Sequence, residues 1–114
     1  MESSDKSPRR DIPPGTLIML ILKTLARGPS HGYAIAKQIR LSSEDVLQVE
    51  EGSLYPALQK MLLKGWVTAD WVEAGPKRRA RVYRLTPAGR KHLASEISDF
   101  TCTMQAIARV IQPA

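Results

Sequence analysis

Cysteine is nearly missing from this chain of 114 residues, and its single copy, Cys102, has no partner for an internal disulfide. Cys102 falls within a helical pattern, which favours a small buried apolar side chain over a reactive thiol, with redox sensing as the lesser alternative. Histidine is also scarce. His31 and His92 belong to different segments, and neither has a second His or Cys at metal-ligand spacing. No nucleophile or carboxylate is placed beside them by a recognisable motif and no Gly-rich phosphate loop is present, so the inventory excludes an enzyme and calls for no cofactor or metal. Long apolar runs are lacking too. The longest, residues 17–22, is far short of the roughly 20 residues that cross a bilayer, and the polar N-terminus has no signal-peptide core. A cytoplasmic protein without a membrane partner is expected.

What the chain has in excess is positive charge. Seventeen Lys and Arg oppose eleven Asp and Glu, for a net charge of +6 and a pI near 9.8, and this points to a polyanionic partner, nucleic acid ahead of a membrane surface. The distribution says more than the total. Lys77, Arg78, Arg79, Arg81 and Arg84 crowd one short segment with no acidic residue between them.

The remaining pattern reads as one small, mainly α domain with a β-hairpin. Residues 1–11 are polar and Ser-rich and form an expected mobile arm; Lys6, Arg9 and Arg10 suit a phosphate backbone or minor groove, although an idle tail is the plainer explanation. Pro13, Pro14 and Gly15 lead into a first helix over 16–26, apolar on every side and therefore buried on more than one face. Ser30 is the expected cap of a second helix over 31–41, with Tyr33, Ile35, Ala36 and Ile39 as its inner or partly inner positions. Residues 46–49 suit a short edge strand.

A third helix over 53–65 follows, with Ser53 as its expected N-cap, Pro56 in its first turn and Gly65 as its left-handed stop. Leu54, Leu58, Met61 and Leu62 draw an apolar stripe, while Ser53, Tyr55, Pro56, Gln59, Lys60 and Leu63 share the opposite face. Such a face fits the major groove of DNA, where Gln addresses adenine and Lys a guanine or phosphate. Taken alone it fits an ordinary surface helix with a solvated outer face better, and its neighbours decide. Two helices joined by a short linker, the second with a polar front, make a helix-turn-helix.

Beyond Gly65 the period becomes alternating. Residues 66–73 and 80–85 form an expected hairpin around a basic loop, with Val67, Ala69 and Trp71 on one face and Tyr83 and Leu85 turned to the core. A cation-tipped hairpin directly after a recognition-type helix is the wing of a winged helix, and its 74–81 segment is expected on phosphates. Thr86-Pro87 then starts a final helix over 87–112. Leu93, Ile97, Phe100, Met104, Ile107 and Ile111 alternate steps of four and three, a heptad seam suited to a second subunit, with Leu17, Leu20 and Ile21 of the first helix as its counterpart.

Four stretches, Gly28-Pro29-Ser30-His31-Gly32-Tyr33, Gly52-Ser53-Leu54-Tyr55-Pro56-Ala57-Leu58, Lys64-Gly65-Trp66-Val67 and Tyr83-Arg84-Leu85-Thr86-Pro87-Ala88-Gly89-Arg90, together resemble the PadR-type winged-helix transcriptional regulators. The resemblance implies a homodimer held by the first and last helices, binding a roughly palindromic operator and repressing a nearby gene. It places Tyr55 and its neighbours in the major groove with the wing beside it. The expected organisation is thus the arm 1–11, a winged-helix domain 12–86 and a dimerisation helix 87–114. The DNA-contacting set is Ser53, Tyr55, Pro56, Gln59, Lys60, Lys64, Lys77, Arg78, Arg79 and Arg81. The single C-terminal helix resembles the short subgroup of the family. Some relatives respond to phenolic acids or drugs, and Phe100 and Met104 are the residues that suit a small apolar or phenolic effector, although plain core packing is the commoner use of such a seam. A winged helix that binds another protein is the alternative reading.

Overall fold

A computed structural model of the chain describes residues 9–112. Helix α1, Leu17–Ala26, follows a turn in which the Thr16 N–H reaches the Pro13 carbonyl and Gly15 adopts a φ of 82°. The Thr16 hydroxyl donates to the same carbonyl at 2.7 Å, so it does not cap the helix. Met19, Ile21, Leu22 and Leu25 are buried, and Leu17, Ile18 and Leu20 are partly covered, as an all-round apolar helix requires.

Strand β2, Ser30–His31, pairs with the later hairpin, and α2, Gly32–Ser42, begins immediately after it. This displaces the expected cap by one residue. Ser30 is committed to the sheet opposite Tyr83, and His31 caps α2 instead, its Nδ1 accepting the Ala34 N–H at 3.4 Å. Tyr33, expected at least partly inside, is 68% exposed, because Gly32, Ile35 and Ile39 take the buried side of α2. At the other end the Glu44 N–H reaches the Leu41 carbonyl and the Asp45 N–H the Arg40 carbonyl. That pattern places a left-handed residue after the helix, a position that Gly usually takes, yet Glu44 occupies it at φ 54°.

The short edge strand is β3, Leu47–Gln48, and its partner is unexpected. It pairs in parallel with β1, Arg10–Asp11, whose Arg10 N–H reaches the Val46 carbonyl. Arg9 also pairs with Asp45 at 2.9 Å. Residues 9–11 are therefore held, which corrects the mobile arm at its inner end; Lys6 and the rest of 1–8 lie outside the described residues.

Helix α3, Glu51–Leu63, starts two residues before Ser53. The backbone carbonyl of Glu50 accepts the N–H groups of Ser53 and Leu54, so Ser53 lies inside the first turn instead of capping it. Pro56 consequently falls beyond the first turn and has no N–H to return to Gly52, a defect accepted near a helix start better than in its middle. Glu50 and Glu51 stand at the positive end of the helix, where carboxylates are favoured. The C-terminus closes as expected: Gly65 has φ 77°, its N–H reaches Leu62 and the Trp66 N–H reaches Met61.

The hairpin consists of β4, Val67–Gly75, and β5, Arg78–Leu85, antiparallel and turning at Pro76-Lys77. With β2 it makes a three-stranded sheet in the order β2-β5-β4. Val67 and Tyr83 close the core over α1, α2 and α3. Helix α4, Pro87–Ile111, is capped by Thr86, whose hydroxyl oxygen accepts the Gly89 N–H at 3.0 Å. Gly89 has to lack a side chain, because a Cβ there would collide with the Trp66 carbonyl. Past Leu93, α4 leaves the domain. The radius of gyration is 16.4 Å, against about 13 Å for a compact chain of this size. Cys102 is exposed on that projecting part, correcting its expected burial.

Candidate nucleic-acid interface

Helix α3 has the two faces its pattern requires. Leu54, Leu58 and Met61 are buried, while Ser53, Tyr55, Pro56, Gln59, Lys60, Leu63 and Lys64 are exposed. Tyr55, Gln59 and Leu63 stand four residues apart and so form one row along the outer face. Tyr55 is 45% exposed and rests on the start of α2, where Gly32 leaves room for its ring.

The structure distributes the expected contact residues over three sides of α3. Tyr55 shares a cleft with Arg81 of the wing and with His31, Tyr33 and Trp71. Pro56 and Lys60 turn the other way, lining a groove with Leu17, Trp66, His92 and Glu96. Ser53 borders a third hollow beside Asp11, Gln48 and Glu50, an acidic neighbourhood that suits a phosphate less well than the cleft under the wing. Gln59 stands between the first two sides, exposed and free to address a base edge.

In the wing, Lys77 occupies the turn at φ 59°, whereas Arg78 and Arg79 open β5 and are not in the loop where the sequence suggests them. The register sets Glu73 opposite Arg79 and Trp71 opposite Arg81. Among the described residues, none of Lys77, Arg78, Arg79 and Arg81 forms an ion pair, so their charge is available to an external anion. Arg84 instead approaches Asp70 at 3.9 Å, an exposed pair of small value.

Trp71 shares the face of Val67 and Ala69, as the alternation predicts, yet it is 58% exposed, because the hairpin extends past the core before it turns. The strand alternation gives the correct side of the ribbon but not the point at which that side meets water. Tyr33, His31 and Gly32 line the same cleft as Tyr55 and Arg81, a grouping that no local pattern in the sequence points to.

Of the candidate pairing residues, Ile21 is fully buried within its own chain and Leu93 nearly so, which removes Ile21 from any surface offered to a partner. Leu17 and Leu20 are half covered. Ile97, Phe100, Met104 and Ile107 are 38–43% exposed and Ile111 more so, an apolar stripe along the free part of α4. Phe100 and Met104 thus stand exposed in the single chain. His92 stacks on Trp66 with ring centroids 3.7 Å apart and approaches Glu96 at 3.2 Å, a packing role for the second histidine. Among the described residues no group of His, Cys, Asp and Glu is gathered for a metal, and no helix is long and apolar enough to cross a membrane.

Comparison with known proteins gives a consistent result. The model of the transcriptional regulator PadR-like family matches residues 21–95. A transcriptional regulator from Clostridium thermocellum has a similar structure, with a TM-score of 0.81 and 28% identity over 86% of this chain and 95% of that one. Bacillus subtilis PadR in complex with operator DNA superposes with a TM-score of 0.68 and 26% identity, covering 75% of this chain and 48% of that longer one. An uncharacterized protein X of Lysinibacillus sphaericus is 25% identical over 92 residues, 81% of this chain and 84% of its own length.

Proposed function

This chain belongs to the PadR-like family of transcriptional regulators, and from that premise we propose that it acts as a homodimeric repressor on a roughly palindromic operator. It is a DNA-binding winged-helix regulator, not an enzyme. In the proposed complex α3 lies in the major groove, with Tyr55 and Gln59 toward base edges and Lys60 and Lys64 toward phosphates. The wing meets the backbone through Lys77, Arg78, Arg79 and Arg81, whose contacts position the protein without reading sequence.

The observation that carries this reading is the joint placement of Tyr55 on α3 and Arg81 on the wing in one cleft, beside a wing whose tip cations have no acidic partner among the described residues. The operator complex of Bacillus subtilis PadR supports it by likeness of fold. The homodimer rests on the open apolar stripe of α4, which a second copy would cover.

Selection of bound sequences from random duplex DNA tests the proposal. Two related half-sites at a fixed spacing are expected, because a two-fold protein reads a two-fold site. Across a salt series, log K should fall with log salt by about 0.9 for each phosphate neutralised. Binding without enrichment of any sequence would sink the operator and leave a winged helix used for protein contact as the better reading.

A further inference from the structure

Trp71 stands on β4 directly across from Arg81, exposed on the wing, where the core gains nothing from it. An aromatic side chain of this size stabilises chiefly by burial, so its position in water needs a use. Two guanidinium groups cover it: Cζ of Arg79 lies 5.3 Å and Cζ of Arg81 5.8 Å from the ring centroid. Arg81 is also 5.9 Å from the centroid of Tyr83. Arg79, Arg81 and Tyr83 are spaced by two on β5 and therefore share one face, and Trp71 pairs onto that face from β4. The result is a row in which cations and aromatic rings alternate.

Trp71, Arg81 and Tyr83 of that row form one wall of a cleft of about 400 Å3, and the start of α2 with Tyr55 of α3 forms the other; Arg79 stands beyond its lining, toward the tip. The lining residues bring as donors the hydroxyls of Tyr33, Tyr55 and Tyr83, the Trp71 indole N–H, the Arg81 guanidinium and the His31 ring, and no carboxylate lines the cleft. Because Nδ1 of His31 accepts the Ala34 N–H, the neutral ring keeps its proton on Nε2 and has that nitrogen left to donate. Donors for anionic oxygens beside an aromatic face for an apolar sugar edge match a phosphodiester with its deoxyribose. A bare inorganic anion would make no use of the ring.

We propose that Trp71 is a DNA-contacting residue, which holds Arg79 and Arg81 in one row and closes the cleft under the wing around the sugar-phosphate backbone of one strand. This rests on the assignment of α3 as the recognition helix, since Tyr55 belongs to both surfaces. The tryptophan acts twice: its ring packs on the sugar, and its face keeps two flexible arginines aimed at the same strand.

The test compares wild type with W71A, W71F and W71K, measuring affinity for operator and random duplex across a salt series together with the thermal unfolding midpoint. W71A should lose roughly fivefold to tenfold on both duplexes alike, since the contact carries no sequence information. Its salt slope should become shallower by about 1, as one arginine-phosphate contact is no longer held. W71F should keep most of the affinity, whereas W71K, which adds a cation and removes the ring, should not recover it. The unfolding midpoint of W71A should stay near that of wild type because the ring is exposed; if it falls, the comparison of W71F with W71K decides. Equal binding by W71F and W71K, or a W71A variant with wild-type affinity and slope, overturns the inference. If wild type itself shows no salt-dependent binding to duplex DNA, the recognition-helix assignment fails and takes this inference with it. Binding by wild type that W71A leaves unchanged removes only the role of Trp71.

Discussion

The ring of Tyr55 fills the space that a side chain on Gly32 would need: a Cβ there would stand 2.8 Å from both Cε1 and the hydroxyl oxygen of the tyrosine. The start of α2 thus sets where the tyrosine of α3 points, and Gly32 shapes the proposed interface through that ring.

Gly32→Ala is expected to swing the Tyr55 ring away, because the clash meets the far end of a side chain and not backbone. The fold should survive with a loss of about 1 kcal/mol. Discrimination between operator and random DNA should fall roughly tenfold, the scale of one good base contact. Competition binding at fixed salt measures this, and undiminished discrimination would take Tyr55 out of the reading set.

Glu44→Gly is expected to stabilise the protein. Glu44 sits at φ 54°, where an L side chain costs about 1 to 2 kcal/mol, and Gly relieves that strain while adding freedom to the unfolded chain. A net gain of about 0.5 kcal/mol should appear as a higher urea midpoint with an unchanged slope. A lower midpoint would show that the Glu44 side chain contributes something its conformation does not reveal.

Features decided by neighbouring residues were legible before any coordinates. Thr86-Pro87 starts α4, Gly65 ends α3, and Leu54, Leu58 and Met61 mark the buried side of that helix. Features decided by distant pairing were not. Ser30 is a good cap by type, but its pairing with Tyr83 in the sheet commits it elsewhere and passes the cap to His31. Arg10 is held by Val46, which no local pattern announces. Trp71 and Ile21 show the same limit from opposite sides: alternation and apolar runs identify faces, whereas the depth of each residue depends on where the domain ends. Local pattern accordingly identifies the elements of the candidate site, whereas its aromatic wall depends on the pairing of Trp71 with Arg81 across the hairpin.

Phe100→Glu combined with Ile107→Glu is expected to separate the proposed dimer. Both residues are exposed on the stripe of α4 and outside the buried core, so the helical signal in circular dichroism should be retained. Sedimentation at micromolar concentration should find a dimer for wild type and a monomer for the variant, with operator affinity falling as the second half-site is lost. A wild-type monomer would contradict the role given to α4.

Thr86 binds in two directions at once: its hydroxyl donates to the Gly65 carbonyl at 2.7 Å and accepts from the Gly89 N–H, while its own N–H reaches the Trp66 carbonyl. The end of α3 and the beginning of α4 are thereby riveted through a single residue, with Gly89 pressed on the same loop. In two copies joined along α4, each recognition helix would move as the short arm of a lever whose long arm is the pairing helix. Any change in the crossing angle of the long arms would then reset the distance between the short ones, so the spacing of DNA half-sites would be set some way from the DNA itself.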